Sequence, residues 1–367
     1  MNHNNGRTQL RLRHLAVLAG CILSLPALAR GMPPTRDGTV ALDHYQLEDG
    51  ETLAPVRLHY LTTGTPIRDR DGHIINAVLI LHGTVGTAHE PLSPSGLAGL
   101  FAPGKPLDAR HFYIVAPDGL GAGDSTKPSD GLCDAFPHYG YLDQLALDRE
   151  MLARIGIVHE KLVLGTSMGG MQVWQWAERY PADSDALVAV SSSPAAVSGR
   201  NMLWRQMIME AITHDPDWHK GHPDPARPPR LWLYTASPLF ALMTSNAQRL
   251  QAAIPDRKDA APFERAAIDR QAHALNACDI LRQFQSSDDY DPRPGSDRIT
   301  APVLSVNFAD DMLNPPELLR LPSRANVHEL MIRDPSQLYG HMTMMHTDVW
   351  EAGLKAFLLT VPGWPTD

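Results

Sequence analysis

A chain of 367 residues, 43% hydrophobic and 20% charged, can bury a large core, either as one elaborated domain or as a domain carrying a substantial insertion. A formal charge of −9 without a basic run argues against nucleic acid or an anionic membrane surface as partner. The three cysteines have no zinc-ribbon or Cys-x-x-Cys spacing, so neither a metal nor a cofactor is expected from them.

At the N-terminus, Arg7, Arg11 and Arg13 precede an apolar run over residues 15–29 that closes on Ala27-Leu28-Ala29. That is the layout of a bacterial secretory signal peptide cleaved after Ala29, which would take the formal charge from −9 to −12. The run is short for a membrane span and is broken by Pro26, and no later stretch approaches about 18 uninterrupted apolar residues. Leu18-Ala19-Gly20-Cys21 also looks like a lipobox. The apolar run continues past Cys21, however, so a periplasmic or secreted protein without stable membrane insertion is the favoured expectation over a lipid anchor. Cys133 and Cys278 then remain; in an oxidising compartment they could pair, and both could equally fill apolar core.

Beyond residue 30, short apolar or β-branched runs at 56–61, 77–81, 112–116, 162–164, 187–190, 303–306 and 327–332 alternate with longer periodic segments. Residues 141–155, 168–180 and 347–359 read as helices. This alternation predicts an α/β fold with a mostly parallel central sheet and flanking helices. It stops near Ser193 and resumes near Ala301. The intervening stretch, rich in Met, Trp, Pro and Ala, is too long for a simple crossover and is expected to form a helical cap. The expected organisation is a signal peptide at 1–29, core at 30–193, cap at 194–300 and core again at 301–367. Met202, Trp204, Met207, Met209, Trp218, Trp232, Phe240 and Met243 should mostly form the cap's own core, with some lining a largely apolar pocket.

The chemistry is concentrated at Gly165-Thr166-Ser167-Met168-Gly169, a G-x-S-x-G between a predicted strand and a predicted helix. In that context the pentapeptide reads as a nucleophile elbow rather than a chance glycine loop. Ser167 would sit on a strained turn, flanked by glycines that leave it room and facing the free N–H groups of a helix start. A serine nucleophile needs a histidine base and a carboxylate, and this architecture supplies them in the order Ser, acid, His. Asp310-Asp311 follows the sixth predicted strand; Asp311, which heads an Asp-x-Leu-x-Pro pattern, is the preferred acid and Asp310 the alternative, the other being a solvated or capping carboxylate. The base is expected at His341, after Gly340 and before the last helix, rather than at His346. The oxyanion hole should use the backbone N–H of Met168 and of Thr84, in the loop after the second predicted strand. His82, at the start of that loop, is expected to hold it.

Two other patterns carry less. His214, Asp215, Asp217, His219 and His222 lie in a Pro- and Asp-rich stretch with no helical face to converge on, which predicts a surface loop rather than a metal site. Gly119, Gly121 and Gly123 complete no phosphate-binding motif.

From about residue 45 onward the chain resembles the α/β-hydrolase superfamily, and within it the homoserine O-acetyltransferase-like group. The resemblance rests on the elbow and helix at 165–181, on Arg205-Gln206 and Asp215-Pro216-Asp217-Trp218 leading into the cap, and on Asp311-Met312-Leu313 and Gly340-His341. It implies an α/β-hydrolase fold with an inserted helical cap, and roles for Ser167, Asp311 and His341 as catalytic triad. Members acting on homoserine carry an acidic residue directly after the catalytic histidine, to hold the substrate ammonium, and an Arg and a Tyr from the cap. Here Met342 follows His341, and the stretch 235–245 contains neither Arg nor Tyr. A buried ammonium without its carboxylate is costly, so homoserine is not the expected substrate.

The expected function is a secreted serine hydrolase acting on small-molecule carboxylic esters through an acyl-serine intermediate. An O-acyltransferase with a different acceptor is the second reading, and a catalytically silent binding protein on the same fold the third. An export signal favours hydrolysis, because acyl-CoA donors belong to the cytosol.

Overall fold

The computed structural model describes residues 34–365; the expected signal segment, with Cys21, lies outside them. Strands β1 (Arg36–Leu42), β4 (Val56–Thr63), β5 (Ala77–Leu81), β6 (Tyr113–Pro117), β7 (Leu162–Thr166), β8 (Leu187–Val190), β9 (Val303–Phe308) and β10 (Val327–Ile332) form one sheet, in the order β1-β4-β6-β5-β7-β8-β9-β10. Two short strands between the first two of these, β2 (Tyr45–Gln46) and β3 (Thr52–Leu53), pair separately. From β6 to β10 every pairing is parallel, whereas β4 runs antiparallel to both β1 and β6.

The inner strands β5 and β8 are uninterrupted apolar runs because helices cover both faces of the sheet. All five residues of β5 are buried. Alternation of side chains then splits them between two layers. Leu79, Val115 and Val163 pack with Met151, Trp174 and Trp176, which project from α2 (Tyr141–Ile155) and α3 (Met168–Arg179). On the opposite face Val78, Ile80, Leu164 and Val188 meet Trp350, Leu354 and Phe357. The last three belong to α9 (Thr347–Leu358), and a single turn, α1 (His89–Leu92), precedes α2 in the chain.

Between β8 and β9 the chain leaves the sheet and forms α4 (Gly199–Thr213), α5 (Leu233–Thr244), α6 (Ala247–Ala253), α7 (Arg257–Ala274) and α8 (Ala277–Gln285). These helices have their own core, in which Trp204 stands edge-on to Phe240 and Phe284 with ring centroids 5.0 and 5.2 Å away. Trp218, Trp232 and Met243 are buried there as well, but Met207 is exposed.

The end of the helical segment is fastened to the sheet domain. Cys133 and Cys278 form a disulfide, the pairing that sequence alone left open. One residue on, the Asp279 carboxylate accepts from the Ser129 amide and hydroxyl, each at 2.7 Å. Asp289 accepts from the amides of Tyr141 and Leu142, placing an anion at the positive end of α2.

The sheet differs from the sequence reading mainly at its first edge. β1 was not anticipated because its first residues are exposed and only Val40 and Leu42 turn inward. Its seat depends on Gly38, where a side chain would collide with the Tyr60 ring. No helix among the described residues is long and apolar enough to cross a membrane.

Candidate active site

From β5 the chain moves outward to β6, then crosses back over β5 to β7, so the direction of winding reverses between β5 and β7. Open α/β sheets bind ligands at the carboxyl ends of strands at such a point. The loops leaving these two strands carry Gly83-Thr84 and Ser167, residues the sequence had singled out.

Ser167 links β7 to α3 in an unusual backbone conformation, φ 54° and ψ −113°. A non-glycine residue there is strained and must be held by its surroundings. Its amide donates to the Val190 carbonyl at 2.9 Å, and the Gly169 amide donates to His82 at 3.0 Å. The flanking glycines permit this close approach: a Cβ on Gly165 would meet the Gly169 backbone, and one on Gly169 would meet the Leu81 carbonyl. The first amide of α3, that of Met168, has no helical carbonyl behind it.

His341 lies between the other two predicted residues. Its Nε2 is 2.8 Å from the Ser167 hydroxyl and its Nδ1 is 2.8 Å from Asp311 Oδ2. Asp311 and His341 are each only 2% exposed, so both ring nitrogens are spoken for by protein rather than water. The second Asp311 oxygen accepts from the amides of Leu313 and Asn314 at 2.8 and 3.0 Å, which fixes the carboxylate plane. Asp310, the alternative acid, points to different groups: its Oδ2 accepts from the Gly340 amide at 2.9 Å and from Asn246 Nδ2 at 2.5 Å. It is neither solvated nor a helix cap, but ties the histidine loop to the start of α6. His346 stacks on Tyr339 with ring centroids 3.5 Å apart. Met342, the residue after His341, is exposed.

Opposite the serine, a Cβ on Gly83 would sit 3.5 Å from that of Ser167, so the Gly83 backbone passes close to the serine side chain. His82 braces this loop, with Nδ1 2.7 Å from the Gly83 carbonyl and Nε2 2.6 Å from that of Asp118. Two residues from the helical segment also reach it. Arg205 Nη2 approaches the Thr84 hydroxyl at 3.5 Å, and Gln283 Oε1 accepts from the Val85 amide at 3.2 Å. Sequence reasoning gave neither of them a role at this loop, because each contact spans more than a hundred residues. The available signal was Asn201 and Arg205, four apart and so on one face with Ile208 and Ile212, two polar groups among the apolar residues of that face.

The other polar clusters have structural employment. Asp215 is buried, not part of a solvated loop as expected, because it accepts from the amides of Asp217 and Trp232 and so orders the approach to α5. His214, His219 and His222 stay exposed. Among the described residues one group, His59, Asp118 and Asp124, has metal-like spacing. Asp118 is already committed there, accepting from the amides of Ala88 and Asp124 and lying 2.7 Å from His59 Nδ1.

Residues 76–344 match the family model described as alpha/beta hydrolase fold. A homoserine O-acetyltransferase from Thermobifida fusca is 36% identical over 53% of this chain and 54% of its own length, so the chain spans about half of that relative. A probable acyltransferase from Methanothermobacter thermautotrophicus is 30% identical over 77% of this chain and 84% of its own. Among solved structures, esterase E22 superposes with a TM-score of 0.76 at 18% identity, covering 88% of this chain and 100% of that one, a likeness of fold. The mostly parallel sheet, the elbow at its winding reversal and a family match over well over half the sequence agree: the chain belongs to the alpha/beta hydrolase fold family.

Proposed function

We propose that this protein is an exported serine hydrolase that cleaves small carboxylic esters through an acyl-serine intermediate. The observation that carries the reading is the continuous chain of hydrogen bonds from Ser167 through His341 to Asp311 at the elbow. In this mechanism His341 Nε2 removes the Ser167 proton as the oxygen attacks the ester carbonyl. Asp311 holds the ring in the required tautomer and stabilises the imidazolium. The Met168 and Thr84 amides receive the charge on the tetrahedral oxygen. Collapse expels the alcohol with the proton from His341. A water, deprotonated by the same ring, then releases the acid. Export is supported by the charged and apolar pattern of residues 7–29 and by the Cys133–Cys278 disulfide, a bond suited to an oxidising compartment.

A second reading, transfer of the acyl group to an alcohol acceptor, is favoured by the names of the relatives. The two reactions share every step up to the acyl-serine and differ in what attacks it. Met342 beside the base offers no carboxylate to an amino-acid acceptor, which weighs against homoserine. The discriminating experiment is turnover of short and medium p-nitrophenyl esters, with and without homoserine or simple alcohols, using Ser167→Ala as control. Ser167-dependent release indifferent to acceptor supports hydrolysis. Acceleration by an acceptor, with the transferred ester recovered, moves transferase first. No Ser167-dependent turnover would count against both.

A further inference from the structure

We propose that Arg205 and Gln283, two buried residues of the helical segment, are positioning residues that set the oxyanion hole through Thr84 and Val85. The inference rests on the reaction assigned to Ser167 above.

Arg205 is 2% exposed. Its Nε donates to Asn201 Oδ1 at 3.0 Å, Nη1 to the Ser287 hydroxyl at 3.2 Å and Nη2 to the Thr84 hydroxyl at 3.5 Å. Its guanidinium carbon lies 5.3 Å from the centre of the Phe284 ring. Every one of these partners is neutral, and among the described residues Arg205 forms no ion pair. A buried cation whose hydrogen-bond partners are all neutral, with the Asp288 carboxyl acting on it through space but not paired to it, is incompletely compensated in the resting protein, and any negative charge that appears nearby is stabilised by it. Formation of the tetrahedral intermediate creates such a charge at the Thr84 amide, on the residue whose hydroxyl Arg205 touches.

Gln283 supplies the geometric half. It is buried, and its amide bridges two loops: Nε2 donates to the Gly121 carbonyl at 2.9 Å while Oε1 accepts from the Val85 amide at 3.2 Å. Because the nitrogen is committed to a carbonyl, the oxygen must face Val85. Val85 has φ 61°, a left-handed conformation disfavoured for a β-branched residue, and the Gly86 amide closes the turn onto Gly83 at 3.0 Å. Releasing Val85 would let this turn relax and rotate the adjoining Gly83-Thr84 peptide, whose N–H is the proposed donor.

The test is steady-state turnover of p-nitrophenyl acetate by the purified protein and by Arg205→Met, Arg205→Lys, Gln283→Leu, Thr84→Val and the double variant Arg205→Met with Thr84→Val. Affinity for phenylboronic acid, which forms an anionic tetrahedral adduct on a serine, is measured alongside. Expected are kcat losses of roughly 10- to 100-fold for Arg205→Met and Gln283→Leu, with KM changed less than about two-fold and boronate affinity falling in step with kcat. Arg205→Lys should recover part of the loss, and Thr84→Val should add little to Arg205→Met. A folded Arg205→Met or Gln283→Leu variant with wild-type kcat, a loss confined to KM, or additive losses in the double variant would overturn the proposal. If Arg205→Met does not fold, Arg205→Lys and Gln283→Leu decide the question by the same criteria. Absence of Ser167-dependent turnover in the wild-type protein is a separate result, seen before any variant is measured, and would remove the reaction and this inference together.

Discussion

Asp310 and Asp311, neighbours in the chain, grip two neighbouring residues of the facing loop: Asp310 takes the Gly340 amide and Asp311 the His341 ring. One carboxylate sets where the loop stands and the other sets how its imidazole is turned. The pair should therefore separate under mutation. Asp311→Asn is expected to lower kcat by roughly 10⁴-fold with little loss of stability, because the ring then lacks the acceptor that fixes its tautomer. Asp310→Ala should cost about 1–3 kcal/mol in urea denaturation, by orphaning the Gly340 amide, with only a modest fall in kcat.

Covalent capture tests the site directly. A fluorophosphonate should add once per wild-type chain by intact mass, and not at all to Ser167→Ala. His341→Ala should slow labelling by about 10³-fold or more, because the hydroxyl loses its base. Labelling of Ser167→Ala at another serine would defeat the assignment.

The Cys133–Cys278 bond closes a loop spanning 145 positions of sequence. Replacing both cysteines with Ala is expected to destabilise the protein by roughly 2–5 kcal/mol, read from the midpoint of chemical denaturation. Addition of reductant should shift the wild-type midpoint in the same direction and leave the double variant where it is.

Two buried acids predict how stability follows pH. Burial, with the Asp118 charge nearby, pushes Asp148 up to about 8, and burial pushes Glu160 up to about 8. Their unfolded values lie near 4, so between about pH 4 and pH 8 the folded chain holds protons that the unfolded chain has lost. Stability should therefore fall as pH rises through this window, by up to about 1.4 kcal/mol per pH unit for each group, and flatten above it. Asp148→Asn should remove its share of the slope, checked by thermal unfolding at pH 5, 7 and 9; an unchanged slope would contradict the shift. Asp148 lines a small cavity with His82 and Met168, so the same variant probes the ground beneath the elbow.

Legibility in the sequence followed the range of the contacts involved. The bounds of β5, β8, β10 and α2 are those read from the sequence, because continuous apolar runs and a 3.6-residue period are local signals. Gly165 and Gly169 announced the elbow for the same reason. β1 escaped because an edge strand needs only one apolar face, and Arg36-Asp37-Gly38 hides even that. Arg205 and Gln283 escaped differently: their partners lie 121 and 198 residues away, and nothing in either helix names the loop it meets. Asp215 looked like a loop acid because composition cannot reveal two amides converging on a carboxylate.

β8 and β9 are hydrogen-bonded neighbours, with Leu187 opposite Val303, although more than a hundred residues separate them. The chain thus departs and returns at adjacent seats of one ladder. A foreign set of helices could be spliced between those seats without breaking a rung, which makes this segment a natural unit of exchange. Such a graft would keep Ser167, Asp311 and His341, all supplied from outside it, yet would strip Thr84 and Val85 of their supports. A chimera that carried over the equivalents of Arg205 and Gln283 should outpace one that replaced both.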